Sequence, residues 1–352
     1  MSAPSSRQST RIAGLDTIRF FCALMVVFFH LQGPPIFQGL SHDTPAGRNI
    51  LGFYDAAFNG QAAVIAFFVI SGFCIHLPYV SGRSFAIGPF LLGRAVRILI
   101  PMGAYLLLLR LLHHSEQGLT LMLWSIWCEI IYYFIYPLLR VAFSRTSVTF
   151  VLVGAYLAAA IVTACYAFGP DWQALFDAGR WTWLAGLPCW ILGCLLAERV
   201  TQTRPETRVS PTRLWCYRLA AWILASVSCL AMLHFHVSFL VSLQVFAGFT
   251  YFWLKTEIRW FREHPAWRPL EWLGGLTFSI YLMHQLANLL LKNWMTSSGW
   301  LLWAAEMVCV LALSAVFNAL VEGPSHRLAR ALMRRRKPIR TPALTEELNL
   351  AG

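Results

Sequence analysis

The hydrophobic positions of this 352-residue chain form long apolar blocks, separated by short polar or basic segments. An α-helix needs about 20 mostly apolar residues to cross the hydrocarbon core of a bilayer, and most of the blocks approach that length. The pattern predicts about ten membrane-spanning helices, of which the third is the shortest. The predicted spans lie near 13–31, 57–78, 98–112, 119–142, 147–168, 182–198, 214–233, 236–254, 272–291 and 301–321. We therefore expect an all-α, polytopic membrane helical bundle.

Basic residues predict the orientation of the bundle. If the N-terminus is cytoplasmic, nearly all of the 28 Lys and Arg residues fall in cytoplasmic segments, as the positive-inside rule requires. The exceptions are Arg48, Arg180 and Lys292 in outer loops, and Arg19 and Arg110 within spans. An even number of spans places both termini in the cytoplasm.

The same reading divides the chain into three parts. We expect a cytoplasmic N-terminal segment over 1–12, a transmembrane domain over 13–322, and a basic cytoplasmic tail over 323–352. The polar end of the tail, from Pro338 to Gly352, is expected to be disordered.

Composition excludes a soluble class. Hydrophobic residues make up 58% of the chain and charged residues 12%, whereas about a quarter of an ordinary soluble domain is charged. The net charge of +12 is mostly a consequence of the membrane topology. No base-stacking module accompanies the basic run Arg334–Lys337, so we expect it to contact membrane lipid and not nucleic acid. The nine cysteines form no C-x-x-C pair, and we expect no metal site.

Two ionisable residues in the first span are the strongest chemical signal. Arg19 and His30 are eleven residues apart, close to three helical turns, so their side chains share one face about 16 Å apart along the axis. Ionisable groups inside a span are costly and point to a functional site. The alternative is that Arg19 extends to the cytoplasmic interface and His30 marks the outer end of the helix.

The fourth span carries a carboxylate. Glu129 lies in mid-span with Tyr133 one turn further on, and an intramembrane Glu is by default a functional candidate. It would serve as an acid or base, pair with an arginine or histidine, or hold a neighbouring helix by a hydrogen bond. Of the two glutamates that flank the last span, Glu322 is expected to pair with nearby arginines.

Three further groups of polar residues allow two interpretations each. Arg94 and Arg97 lie on one helical face and are suited to phosphates, or they are an ordinary basic flank of a span. Ser71 precedes Gly72 and either contacts a ligand or belongs to a packing step. In the ninth span a polar stripe contacts a ligand or joins helices by hydrogen bonds; it consists of Thr277, Tyr281 and His284.

Five segments in a fixed order resemble the acyltransferase-3 family of bacterial integral-membrane acyltransferases. The resemblance covers about residues 10 to 335. The segments are Leu15-Asp16-x-x-Arg19 with His30; Phe67-Phe-Val-Ile-Ser71-Gly72-Phe73; Arg94-x-x-Arg97-Ile-x-x-Pro101; Trp124-Ser125-Ile-x-x-Glu129-x-x-Tyr132-Tyr133-x-x-x-Pro137; and Leu273-Gly274-x-x-x-x-Ser279-Ile-Tyr281-Leu-x-His284. Two features differ: Phe20 and Phe21 stand where relatives often have small residues, and we expect none of the C-terminal extracytoplasmic hydrolase-like domain that some relatives have.

The resemblance implies an O-acyltransferase of the bacterial cytoplasmic (inner) membrane. The donor would be acyl-CoA, usually acetyl-CoA, acting as a co-substrate with no bound cofactor. The acceptor would be a carbohydrate hydroxyl on a surface polysaccharide, an exopolysaccharide or O-antigen.

The resemblance also implies roles for individual residues. Arg19, Arg94 and Arg97 would hold CoA, and His30 would be the general base or a transient acyl carrier. Glu129 would orient His30. Supporting positions are Asp16, Ser71, Tyr133, Tyr281 and His284.

Other functions fit the residues as well. A transporter or flippase also needs intramembrane Arg, His and Glu, although no inverted repeat is apparent. A membrane scaffold would leave these residues unexplained. Within the enzyme class, the acceptor is alternatively a lipid or a secondary metabolite, and the oligomeric state is not predicted.

Overall fold

The structure is a computed structural model that describes residues 12–41, 43–112, 123–166, 176, 178–202, 208–294 and 299–334. All regular secondary structure within these ranges is helical, which confirms the all-α prediction. The end of the tail, where disorder is predicted, lies outside the described residues.

Thirteen α-helices are described, together with one 3₁₀ turn, Gly179–Trp181, and one π-helical turn, Asn318–Glu322. The helices are α1 Leu15–Leu31, α2 Pro45–Ala56, α3 Gly60–Val80, α4 Ile87–Leu111, α5 Trp124–Arg145, α6 Val148–Tyr166, α7 Thr182–Gln202, α8 Pro211–Phe235, α9 Phe239–Glu263, α10 Arg268–Gly275, α11 Thr277–Trp294, α12 Trp300–Phe317 and α13 Gly323–Arg334.

Seven helical stretches in the described ranges are long and apolar enough to cross a membrane. Three predicted spans, α1, α9 and α11, are not among the seven. Helix α1 has only 17 residues and includes Asp16 and Arg19, and α11 includes His284 and Gln285. Helix α1 thus falls short on length, whereas α4 and α5 are among the seven although they carry Arg94, Arg97 and Glu129. The total of ten spans and the cytoplasmic termini stay predictions.

Several element boundaries differ from the sequence-based prediction. Helix α4 begins at Ile87, so the third predicted span, 98–112, was too short, and Arg94 and Arg97 lie inside the helix. Helix α2 lies in a predicted loop, where Thr44 Oγ1 caps it by accepting a hydrogen bond from Gly47 N at 3.0 Å. Helix α13 occupies the start of the predicted tail.

Helices α3 and α7 form the centre of the bundle, and glycines let their backbones touch. A Cβ on Gly72 would lie 1.9 Å from the carbonyl oxygen of Trp190, and a Cβ on Gly193 would lie 2.0 Å from that of Val69. Close contact of this kind through small residues is typical of membrane helix pairs. It fixes the register of α3, which carries Ser71.

The start of α1 is held by α10. Glu271 Oε1 accepts hydrogen bonds from Gly14 N at 3.1 Å, from Thr17 N at 3.0 Å and from Thr17 Oγ1 at 2.8 Å. These bonds satisfy amide groups at the helix N-terminus that have no partner within the helix. On the same face of α10, one turn further on, a Cβ on Gly274 would lie 1.9 Å from the carbonyl oxygen of Asp16. Together these contacts set the position of the turn that contains Arg19.

Candidate functional site

A polar cavity of about 140 Å³ lies between α1, α3, α4, α5 and α11. Its apolar wall includes Phe67, Phe68 and Ile98. The cavity brings together residues from all five segments of the family resemblance. Its polar lining consists of Arg19, Ser71, Arg94, Arg97, Ser125, Glu129, Tyr133, Thr277 and Tyr281.

Glu129 is held by hydroxyl groups from two helices. Its Oε1 accepts a hydrogen bond from Ser71 Oγ at 2.7 Å and another from the hydroxyl of Tyr133. Ser71 Oγ in turn lies 3.3 Å from Trp190 Nε1, which donates to it. A carboxylate with such donors keeps a fixed orientation in the cavity wall.

Three arginines contribute positive charge to the cavity. Arg19 Nη1 lies 3.2 Å from Asp16 Oδ1. The guanidinium carbon of Arg94 lies 5.5 Å from the ring centroid of Tyr133, and Arg94 Nε is buried without a hydrogen-bond partner among the described residues. In the described part of the chain, neither Arg94 nor Arg97 has a carboxylate within salt-bridge distance. An anionic ligand would compensate this charge.

His30 and His284 form a pair at the end of α1. His284 Nε2 lies 3.2 Å from His30 Nδ1, and His284 Nδ1 lies 2.8 Å from the carbonyl oxygen of Tyr281. Because a carbonyl oxygen only accepts, Nδ1 of His284 is its protonated nitrogen, and Nε2 of the neutral ring is an acceptor.

The contacts of His30 likewise determine its tautomer. Its Nδ1 faces two acceptors, His284 Nε2 and the carbonyl oxygen of Val26 at 2.9 Å, so Nδ1 carries the proton. The lone pair of neutral His30 is then on Nε2, for which the described residues provide no hydrogen-bond partner. His30 Nε2 is placed to accept a proton.

Tyr281 connects the cavity with the histidine pair. Its hydroxyl lies 2.7 Å from Ser125 Oγ in the cavity wall, and its ring centroid lies 6.0 Å from that of His284. Tyr281 thus lines the cavity and also contacts His284, whereas neither His30 nor His284 is among the described residues that line it.

The structure groups most predicted site residues but gives some of them different partners. The described hydrogen bonds of Glu129 come from Ser71 and Tyr133, whereas His30 bonds to His284 and to the backbone. Among the described residues, the side chain that is hydrogen-bonded to His30 is thus His284, and not Glu129 as predicted. The carboxylate of Glu322, which is predicted to pair with arginines, accepts hydrogen bonds from Ser279 Oγ at 2.5 Å and from Asn318 Nδ2 at 3.1 Å, and its charge also acts on Arg19 and Arg97.

The sequence pattern alone predicts no role for Ser125 or Trp190. Ser125 stands in a segment of the family resemblance, and this was the available signal for it. Trp190 is one of 15 tryptophans, and nothing in its spacing marks it. Within the described ranges, no group of three or more His, Cys, Asp or Glu side chains is arranged to hold a metal ion.

These features define a membrane protein with a cavity that is lined by cationic and hydroxyl side chains. A comparison with protein families matches residues 12–319 to the family Acyl_transf_3, described as an acyltransferase domain. The match covers nearly the whole chain, and the chain therefore belongs to the acyltransferase-3 family. Comparisons with curated proteins and with solved structures give no match. The family and the apolar helices together make this chain a membrane acyltransferase.

Proposed function

We propose that this protein is an O-acyltransferase of the bacterial cytoplasmic membrane. It moves an acyl group, most simply acetyl, from acyl-CoA to a hydroxyl of a carbohydrate acceptor such as a surface polysaccharide, an exopolysaccharide or O-antigen. The observation that carries the proposal is that helix α1 places Arg19 in a cationic cavity and also carries His30, whose Nε2 has no hydrogen-bond partner among the described residues.

The donor's phosphates bind at the arginine end of the cavity. Arg94 and Arg97 have no described carboxylate partner, and guanidinium groups bind phosphate oxygens in a bidentate manner. Arg19, already oriented by Asp16, adds a third cation. On the predicted topology this end of the bundle faces the cytoplasm, where acyl-CoA is found. Acyl-CoA is a co-substrate in this scheme, and no resident cofactor takes part.

His30 acts as the general base. Its Nε2 takes the proton from the acceptor hydroxyl while the hydroxyl oxygen attacks the thioester carbonyl carbon. A new C–O bond forms, the C–S bond breaks, and the CoA thiolate leaves and takes up the proton from His30. His284 keeps Nδ1 of His30 protonated, so that Nε2 is the basic nitrogen. Acyl transfer through His30 itself is the alternative route.

Hydroxyl groups in the cavity wall stabilise the charge that develops on the thioester oxygen. Tyr281 and Ser125 are the candidates, because their hydroxyls face the cavity between the arginines and the histidine pair. Such donors act where the negative charge forms in the transition state. Glu129 then serves to position Ser71 and Tyr133.

An assay in liposomes tests this function against transport. Purified protein is reconstituted with acetyl-CoA labelled in the acetyl group and with a panel of glycan, lipid and small hydroxylated acceptors. We expect label to become esterified to a glycan, and we expect this labelling to be at least about 10²-fold slower with protein that carries His30→Ala. The matched control is His234→Ala, which removes an exposed histidine at the end of α8. Movement of an acceptor across the bilayer without acylation would show a transporter instead.

A further inference from the structure

A second, larger space lies on the opposite side of α1 from the cavity. It is a groove of about 600 Å³ between α1, α3, α8, α9 and α10. Helix α1 separates the two spaces, because Arg19 lines the cavity while Ile18 and Cys22 line the groove.

Small side chains form one wall of the groove. These are Ala62, Ala63 and Ala66 of α3, together with Ala221 and Ala225 of α8. A larger side chain at these positions would fill the space, as in an ordinary packed interior. The groove is thus a gap between five packed helices.

The dimensions of the groove suit a hydrocarbon chain. Along α9 its lining extends from Phe246 to Phe261, which corresponds to about 22 Å of helix. The hydrocarbon core of a bilayer is about 30 Å thick, so the groove is deeper than one leaflet. On the predicted topology the groove lies within the hydrocarbon core of the bilayer, where its apolar lining is next to lipid chains and not next to water.

One charged pair marks an end of the groove. Arg218 Nε and Nη2 donate to the carboxylate of buried Glu257 at 2.7 Å and 2.9 Å, and Trp253 Nε1 donates to the same carboxylate at 3.0 Å. A guanidinium has five N–H donors, and among the described residues the other three find no acceptor. Glu257 is therefore satisfied, while Arg218 keeps donors for a further ligand.

The position of Arg218 identifies the chemistry of that ligand. It is seven residues from Pro211, about 10 Å along α8 from the end predicted to be cytoplasmic. Trp215 and Trp267 line the groove at the same end and are largely exposed, as is usual for tryptophans at the headgroup level of a bilayer. An arginine with free donors at this level fits a lipid phosphate.

We propose that the groove binds a phosphate-bearing membrane lipid, with one hydrocarbon chain lying along α1 and the phosphate on Arg218. The bound chain packs against the face of α1 opposite Arg19 and fills the gap between that helix and α8. This inference does not depend on acyl transfer and goes beyond the proposed function.

Photo-crosslinking in liposomes tests chain binding. The probe is phosphatidylglycerol with a diazirine in one acyl chain, and the labelled peptides are mapped by mass spectrometry. We expect labelling concentrated on α1, α8 and α9 and reduced about tenfold by Ala221→Trp, which fills the groove. The control is Ala160→Trp, the same substitution at an exposed position of α6 outside the groove. Labelling spread evenly over all exposed helices, or unchanged by Ala221→Trp, would overturn the proposal.

A second variant tests the headgroup contact without leaving a buried charge unpaired. The double substitution Arg218→Gln and Glu257→Gln removes both charges together, since Arg218→Gln alone would leave Glu257 without its partner. The wild type should label more with the phosphatidylglycerol probe than with an uncharged diacylglycerol probe of the same chain, and the double variant should lose that preference. An equal preference in both proteins would refute the phosphate contact. A dimer that dissociates on Ala221→Trp in native mass spectrometry would show that a second copy, and not lipid, occupies the groove.

Discussion

His284 Nε2 lies 3.2 Å from His30 Nδ1. This contact joins α11 to α1 through two residues that are 254 positions apart in sequence. The backbone bond of His284 to Tyr281 determines which ring nitrogen of each histidine carries a proton. His284 is thus a positioning residue for His30, and its effect should appear in the chemical step.

Substitution of His284 should slow catalysis without weakening donor binding. With His284→Ala, His30 loses one of its two acceptors and is free to adopt the other tautomer, so we expect kcat to fall about 10- to 100-fold. The KM for acyl-CoA should not change, because the arginines are untouched. Steady-state kinetics beside the His234→Ala control measures both constants. A raised KM with an unchanged kcat would assign His284 to binding.

The cationic wall should control donor affinity. Arg94→Gln removes a guanidinium with no described carboxylate partner, and we expect the KM for acyl-CoA to rise about tenfold, which corresponds to about 1.4 kcal/mol. Arg94→Lys should restore only part of the affinity, since an ammonium does not bind phosphate in a bidentate manner.

The matched control for Arg94 is Arg83→Gln, because Arg83 is exposed and lies outside the cavity. Its KM should equal that of the wild type. Equal increases for Arg83→Gln and Arg94→Gln would mean that the general basic charge attracts the donor, and not a specific site.

The hydroxyl of Tyr133 should stabilise the protein through its hydrogen bond to Glu129. Tyr133→Phe removes one of the two donors to a carboxylate in the cavity wall and should cost about 1–3 kcal/mol in thermal or chemical unfolding, with a fall in kcat. The control is Tyr217→Phe, where the ring stacks on Phe249 and no hydroxyl bond is described. Equal stability of the two variants would argue against the Tyr133–Glu129 bond.

The contact between α3 and α7 should tolerate no added methyl group. Gly72→Ala places a Cβ against the carbonyl oxygen of Trp190, so the helices must separate, and we expect a loss of at least about 1–3 kcal/mol together with loss of activity. Gly154→Ala on α6 meets nothing within 4 Å and is the matched control. Thermal unfolding in detergent compares them. A Gly72→Ala protein as stable as the control would contradict the close helix contact.

The sequence predicted the members of the site better than their partners. Arg19 and Glu129 stand out because a charge within an apolar span is rare, so their location in one cavity could be expected. The pairing of His30 with His284 could not, because it depends on how α1 and α11 cross. No local pattern encodes that crossing.

The same distinction applies to the fold. Apolar length predicted the helices of the bundle, but α1, α9 and α11 are not among the seven helical stretches that are long and apolar enough to cross a membrane. Helix α1 has only 17 residues, and α11 carries His284 and Gln285 side by side, which lowers its hydropathy. Helix α2 was missed because its start depends on a side-chain cap at Thr44 and not on an apolar block.

The most direct test of the account is single-turnover acyl transfer by the His30→Ala protein in liposomes loaded with labelled acetyl-CoA. We predict that the rate of ester formation on the acceptor falls about 10²- to 10⁴-fold, the usual contribution of a general base, while the affinity for acetyl-CoA equals that of the wild type. Ester formation at the wild-type rate in the His30→Ala protein would contradict the account.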